Sequence, residues 1–167
     1  MMDVFEGMRR RASVRNLGAV EVAEADLELI LDAGRRAPSG RNRQPIEFIV
    51  VREAGTIRQL AEAQGCLGDV GLIVLVVGKP EESEYWLEDV AAATENMLLA
   101  ITALGYATVW VEGTLLRQEA RWKELLGVPS EMRLMVALPI GKAVGEVHQA
   151  AKRPLEEMVH WERWGGR

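Results

Sequence analysis

A short polar loop at residues 38–44 is rich in side chains that can hydrogen-bond a ligand. The loop leads directly into an apolar strand pattern, and Pro38 and Pro45 stiffen it because a proline ring fixes φ. A turn needs only one or two polar residues, whereas this one carries Ser39, Arg41, Asn42, Arg43 and Gln44. The loop therefore either binds a ligand or, as in many helix-to-strand connections, caps its own backbone groups.

A basic cluster lies upstream, in the sequence Arg9-Arg10-Arg11-Ala12-Ser13-Val14-Arg15. Guanidinium groups suit phosphate because they form paired, charge-assisted hydrogen bonds, and Ser13 adds a hydroxyl donor. Cations at a helix C-terminus can also simply balance the helix dipole. The segment alone leaves both interpretations open.

Two further segments could contribute to a site. Residues 108–113 read Thr-Val-Trp-Val-Glu-Gly at the end of a predicted strand, and residues 152–157 read Lys-Arg-Pro-Leu-Glu-Glu. The simpler interpretations are a strand-to-loop transition and a solvated surface turn. Asp89, Glu95 and Asn96 form a polar set on a long predicted helix, and we expect them to face solvent or an interface.

Hydrophobic periodicity supplies the elements that must position these groups. It predicts helices over 3–12, 24–37, 54–63, 84–104 and 117–126, and strands over 46–52, 71–78, 106–111 and 132–140. The unbroken apolar run at 71–78 is what a strand buried on both faces requires. The alternation predicts one domain over residues 1–167, with a sheet of about four or five strands and helices on both sides.

Composition narrows the possible functions. The 167 residues are 49% apolar and 27% charged with a net charge of −5, so a wrapped nucleic-acid partner is not expected. One cysteine excludes an internal disulfide, and two scattered histidines give no metal site. No run is long enough to span a membrane, and charges at Asp3 and Glu6 argue against a signal peptide, so we expect a cytoplasmic protein.

No catalytic triad, Walker loop or Rossmann glycine motif is present, so the chemistry would belong to a cofactor. The chain resembles the FMN-dependent nitroreductase family as a short member. Its Arg-x-Ser-x-Arg motif is matched by Arg11, Ser13 and Arg15, and its Ala-Pro-Ser-Ser-x-Asn-x-Gln-Pro-Trp motif is matched by Ala37, Pro38, Ser39, Asn42, Gln44 and Pro45. The chain departs from the second motif at Gly40 and Ile46.

The resemblance implies an α+β, three-layer α-β-α fold with a central mixed sheet of four to five strands, and an FMN site. Arg11 and Ser13 would contact the phosphate and ribityl chain, and Arg15 the pyrimidine edge. The 38–44 loop would contact the cofactor through Pro38, Ser39, Gly40, Asn42 and Gln44. Trp110, Val111, Glu112 and Gly113 would run under the isoalloxazine ring, with the Glu112 N–H directed at N5. Lys152 or Arg153 would close over the phosphate.

The implied activity is an FMN-dependent oxidoreductase that passes hydride from NAD(P)H to an organic acceptor such as a nitroaromatic or quinone. The resemblance also implies a homodimer with the long helix in its interface. The chain is short for the family between strand 71–78 and the long helix, and again after Gly113. A flavin-binding or sensing module without nicotinamide turnover is therefore an alternative, and an interaction domain without a ligand is a third.

Overall fold

The computed structural model describes residues 2–166. The helices are α1 (Val4–Arg10), α2 (Glu24–Arg35), α3 (Ala54–Leu60), α4 (Trp86–Ala103), α5 (Gly113–Leu116) and α6 (Glu119–Leu126). The strands are β1 (Leu17–Gly18), β2 (Ile46–Val51), β3 (Leu72–Gly78), β4 (Arg133–Ile140) and β5 (Lys142–Ala143). Except for the segment 106–111, each predicted element is present, with its ends displaced by a few residues.

The larger sheet has the order β2-β3-β4, and both pairings are antiparallel. A second sheet pairs β1 with β5, also antiparallel. Every residue of β3 is buried, as the apolar run predicts. Because successive side chains of a strand point to opposite faces, β3 contributes to two separate cores.

The two cores give the protein three layers. Ile73, Leu75 and Val77 face a core that includes Ile57 of α3 and Trp122 of α6. The intervening residues of β3 face a second core, formed with α2 and α4. The predicted α-β-α layering is therefore confirmed.

The predicted sheet of four to five strands is not what forms, and the largest sheet in residues 2–166 has three strands. The segment 106–111 lies beside β4 but pairs only at Ala107 with Gly141 and at Val111 with Ala137. The next residue of β4 that would exchange hydrogen bonds with this segment, halfway between those two pairs, is Pro139. It has no N–H to donate, so the ladder is interrupted.

Helix α4 is a core helix of the single chain. Val90, Met97 and Ile101 are buried, and α2 and α1 pack beside the helix. Leu87, which the predicted apolar stripe includes, is 49% exposed. No helix in the described part of the chain has both the length and the hydropathy needed to cross a bilayer.

A partly exposed ion pair fixes the connection that follows the 107–113 segment. Glu119, at the start of α6, accepts from Arg133 Nε at 2.9 and 3.0 Å and from the Leu134 N–H at 3.0 Å. Burial raises the pKa of the Glu119 carboxyl, but these bonds outweigh it and hold the pKa below its ordinary value of 4.5. The start of α6 is thereby fastened to the start of β4.

Replacing Glu119→Gln should lower the free energy of unfolding by about 0.5–1.5 kcal/mol at pH 7, because the partly exposed Arg133 then lacks its charged acceptor but can still be solvated. A lowered folded-state pKa contributes stability above the unfolded-state pKa, and that stability is lost as the pH falls through the folded-state value. The difference between wild type and variant should therefore narrow below about pH 4.5. Urea unfolding at several pH values measures this difference in the free energy of unfolding, and Glu124→Gln on the same helix is the control. A constant difference across that range would contradict the assignment.

Candidate functional site

The basic cluster divides its arginines between two roles. Arg9 and Arg10 bond Glu6 on their own helix, and the bonds from Arg10 and then Arg9 lower the pKa of that carboxyl. Arg11 follows the last residue of α1, and its Nε lies instead 3.7 Å from Oε1 of Glu95 in α4. The helix-dipole interpretation therefore fits Arg9 and Arg10, while Arg11 is half-buried and directed elsewhere.

The chain after α1 joins the 107–113 segment directly. The Val14 N–H donates to the Thr108 carbonyl at 2.9 Å, and Ser13 is bridged to Thr108 in a parallel pairing. Ser13 and Arg15 are both exposed. Two of the four predicted segments thus lie side by side, although they are far apart in sequence.

At the end of this segment the main chain is exposed to a ligand. Val111 is buried and exchanges both backbone bonds with Ala137, so it anchors its neighbours. Trp110 and Glu112 are half-buried, and the Trp110 indole N–H donates to the Glu112 carboxylate at 2.8 Å. Within residues 2–166 no protein group accepts from the Glu112 N–H. A Cβ built on Gly113 would meet nothing within 4 Å, which shows open space beside this peptide.

The C-terminal segment passes close to Arg11. The Gln149 side-chain amide donates to the carbonyls of Met8 and Arg11, at 2.9 and 2.8 Å. Lys152 and Arg153 are exposed and begin three residues further on. Three residues of fully extended chain span about 11 Å, so Lys152 lies no further than that from Gln149. The third predicted segment therefore lies near the first.

The 38–44 loop has an unusual backbone. Arg41, Asn42 and Gln44 all have positive φ, at 53°, 56° and 53°. Only Asn tolerates this region readily, and such strain is concentrated at functional sites. The loop partly satisfies itself, because the Gln44 N–H donates to Ser39 Oγ at 3.0 Å and the Gln44 side chain donates to the Asn42 carbonyl. The Ser39 hydroxyl proton is still available for a ligand.

The departure from the family motif at Gly40 has a steric cause. A Cβ at Gly40 would lie 2.4 Å from Cδ2 of Tyr85, so a second serine does not fit while that ring is in place. Tyr85 precedes α4 and is 42% exposed. Its ring takes up the space that a serine would need. Pro38, Asn42 and Gln44 remain exposed on the loop surface.

Asp89 anchors this loop, and the prediction that it faces solvent or an interface is wrong. It is 5% exposed, and it accepts from the Gly40 N–H at 2.9 Å and from the Ser83 hydroxyl at 3.3 Å. Asn96 donates to the Ala33 carbonyl of α2. Asp89 and Asn96 are two helical turns apart and therefore share a face of α4. That spacing was the signal in the sequence.

The loop does not meet the other three segments within one chain. It is tied to α4 at Asp89, whereas Arg11 lies against Glu95. These positions on α4 are about 120° apart around the helix and about 9 Å apart along it. Of the five main cavities in the described chain, none is lined by more than one predicted segment.

The groups that converge have the chemistry that a phosphorylated flavin requires. Arg11, Ser13 and Arg15 offer cationic and hydroxyl donors, and the Glu112 N–H is unpaired. The Thr108 hydroxyl beside Ser13 is 2% exposed and has no hydrogen-bond partner among residues 2–166. The described residues hold no group of three or more His, Cys, Asp or Glu side chains that could bind a metal ion.

Comparison with known proteins identifies the family of the chain. The model of the Nitroreductase family matches residues 8–75 and 61–142. A protein of Archaeoglobus fulgidus, provisionally named NADH dehydrogenase/NAD(P)H nitroreductase, is 33% identical over 98% of this chain and 100% of its own length. A provisionally assigned nitroreductase of Desulfovibrio desulfuricans, solved in complex with FMN, is 30% identical with a TM-score of 0.86, and 98% of each chain is covered. A protein of Parabacteroides distasonis with the same provisional name as the Archaeoglobus relative has a TM-score of 0.89 at 25% identity, over 98% of this chain and 100% of its own. The chain belongs to the nitroreductase family.

Proposed function

We propose that this protein is an FMN-dependent oxidoreductase that takes hydride from NAD(P)H and reduces an organic acceptor such as a nitroaromatic or a quinone. The observation that carries the proposal is the convergence of segments 11–15 and 107–113, with the Glu112 N–H unpaired beside open space. The FMN in the Desulfovibrio structure and the NAD(P)H in the name of the Archaeoglobus relative support it.

Each segment has a role that its geometry suits. Arg11 and Ser13 bind the phosphate and ribityl chain. Arg11 suits this role because its side chain extends away from α1, whereas those of Arg9 and Arg10 bond Glu6 on the helix itself. Arg15 reaches the pyrimidine edge, and the Glu112 N–H donates toward flavin N5. When bound, FMN would supply the redox chemistry, accepting a hydride from NAD(P)H and passing its two electrons and the proton to the acceptor. The protein supplies placement, charge and exclusion of water.

We further propose that the working unit is a homodimer whose flavin site takes its 38–44 loop from the partner copy. Within one chain that loop and Arg11 lie on different faces of α4, so neither the loop nor the group around Arg11 forms a complete flavin site by itself. α1 also exposes an apolar face, since Val4, Phe5 and Met8 are 56%, 66% and 48% exposed. An unpaired apolar face of this kind favours association with a second copy.

Titration of the purified protein with FMN tests the proposal. Flavin fluorescence should change on binding, and Arg11→Ala should raise the dissociation constant by about 10- to 100-fold because a charge-assisted phosphate contact is lost. Arg10→Ala is the matched control, since Arg10 neighbours Arg11 but bonds Glu6. Wild-type protein that remains colourless and leaves FMN fluorescence unchanged would refute the function.

Mixed dimers test the shared site. Arg11→Ala and Asn42→Asp chains should each bind FMN weakly, and Asp is chosen because it tolerates the left-handed backbone at position 42. Random reassociation should restore about a quarter of the sites if each site combines Arg11 of one chain with Asn42 of the other. No recovery in verified mixed dimers, or a flavin-bound monomer in size exclusion, would contradict the arrangement.

Anaerobic reduction distinguishes an enzyme from a flavin-binding module without nicotinamide turnover. The short segments around 79–85 and 113–118 are the reason for testing the second function. NADH or NADPH added under nitrogen should bleach the bound flavin promptly. Dithionite is the control that shows the flavin to be reducible. Bleaching by dithionite but by neither nicotinamide would favour the module without turnover.

A further inference from the structure

Two glutamates occupy the same position at the start of a helix and behave differently. Glu53 precedes α3, and its carboxylate accepts from the Gly55 N–H at 2.7 Å and from the Thr56 N–H. Glu112 also precedes a helix, α5, but its backbone is at φ −134° and ψ −66° rather than extended, and its carboxylate makes no bond to the helix that follows. Capping is the ordinary behaviour of an acceptor at this position, because the first N–H groups of a helix have no partner within it.

The two sites differ in backbone conformation, which is extended at Glu53 and not at Glu112, and in the presence of Trp110 beside Glu112. Its indole N–H donates to the Glu112 carboxylate at 2.8 Å, whereas the side-chain donor that bonds Glu53, the Thr56 hydroxyl at 2.8 Å, belongs to the helix that Glu53 caps. Trp110 is itself fixed, since it packs against the core that α2 and α4 share, and Val111 beside it is paired with Ala137. The indole is therefore a rigid donor that competes with capping.

We propose that Trp110 is a positioning residue, which holds the Glu112 carboxylate away from the N–H groups at 112–115 so that the Glu112 peptide stays open to the flavin. This inference rests on the proposed function. Trp110 acts through Glu112, and a direct contact between its ring and the cofactor is not required.

The consequence is electrostatic. If the carboxylate capped α5 as Glu53 caps α3, it would accept from the N–H groups of Thr114 and Leu115. Its negative charge would then lie over the peptide that faces the ring. Reduced flavin carries more negative charge than oxidised flavin, so the carboxylate would oppose the reduced form more strongly.

Trp110→Phe keeps an aromatic ring in the core and removes the indole donor. In the protein without flavin, amide hydrogen exchange at Thr114 and Leu115 should slow by about 2- to 10-fold, the gain of one ordinary hydrogen bond. With FMN, the dissociation constant should rise by about tenfold for the reduced form and less for the oxidised form. The potential of the bound flavin should become more negative in proportion.

Repeating the Trp110→Phe substitution in a Glu112→Ala variant tests whether Trp110 acts through the Glu112 carboxylate. In that background Trp110→Phe should change neither FMN affinity nor the potential, because the carboxylate that it releases is gone. Trp164→Phe, at a tryptophan that is 90% exposed, controls for the substitution itself. An equal loss of affinity in both backgrounds would mean that Trp110 contacts the ligand directly, and unchanged exchange at Thr114 would mean that the carboxylate never caps. Either result overturns the role of Trp110, whereas a wild type that binds no FMN overturns the proposed function instead.

Discussion

The burial of β3 on both faces is the constraint on which the rest of the structure depends. Its backbone groups must pair with β2 and β4, and its side chains must be covered by helices on both sides. A sheet enclosed in this way leaves no room for polar groups in its interior. Charged and hydrogen-bonding groups are therefore displaced to the ends of elements, namely the end of α1, the loop before β2 and the chain after Val111. The four candidate segments lie at these three places and in the C-terminal part of the chain.

The strongest periodic signals in the sequence predicted the structure well. The apolar run predicted β3, and the apolar stripe predicted α4. The end of α6 was predictable because Gly127, which follows the helix, readily adopts the left-handed conformation observed there, with φ 68°. The failures came from interactions between elements. Residues 106–111 have a strand-like composition, but Pro139 lies in another element and interrupts their pairing. Asp89 is polar in a long helix, and only the folded chain shows that the Gly40 N–H and Ser83 reach it.

The segments of the candidate site were predictable from motifs, whereas their arrangement was not. A motif states which residue types occur together and says nothing about which face of α4 each one meets. Arg11 and the loop at 38–44 both lie against α4, which separates them. Helix α4 is buried on several sides and lies between the two segments. They are close in the sequence, with α2 between them, but they lie on different surfaces of the folded chain.

The loop at 38–44 shows how a fold holds such groups in place. The positive φ angles of Arg41 and Gln44 are each disfavoured by about 1–2 kcal/mol, so the loop would relax without outside support. Asp89 supplies that support from α4, and Ser39 and Tyr85 supply it from within and from the side. The role that we propose for Trp110 is related, since its fixed indole would keep the flexible Glu112 carboxylate from capping α5. Polar groups that are kept from pairing internally remain available to a ligand, and this availability makes a loop a binding site rather than a connection.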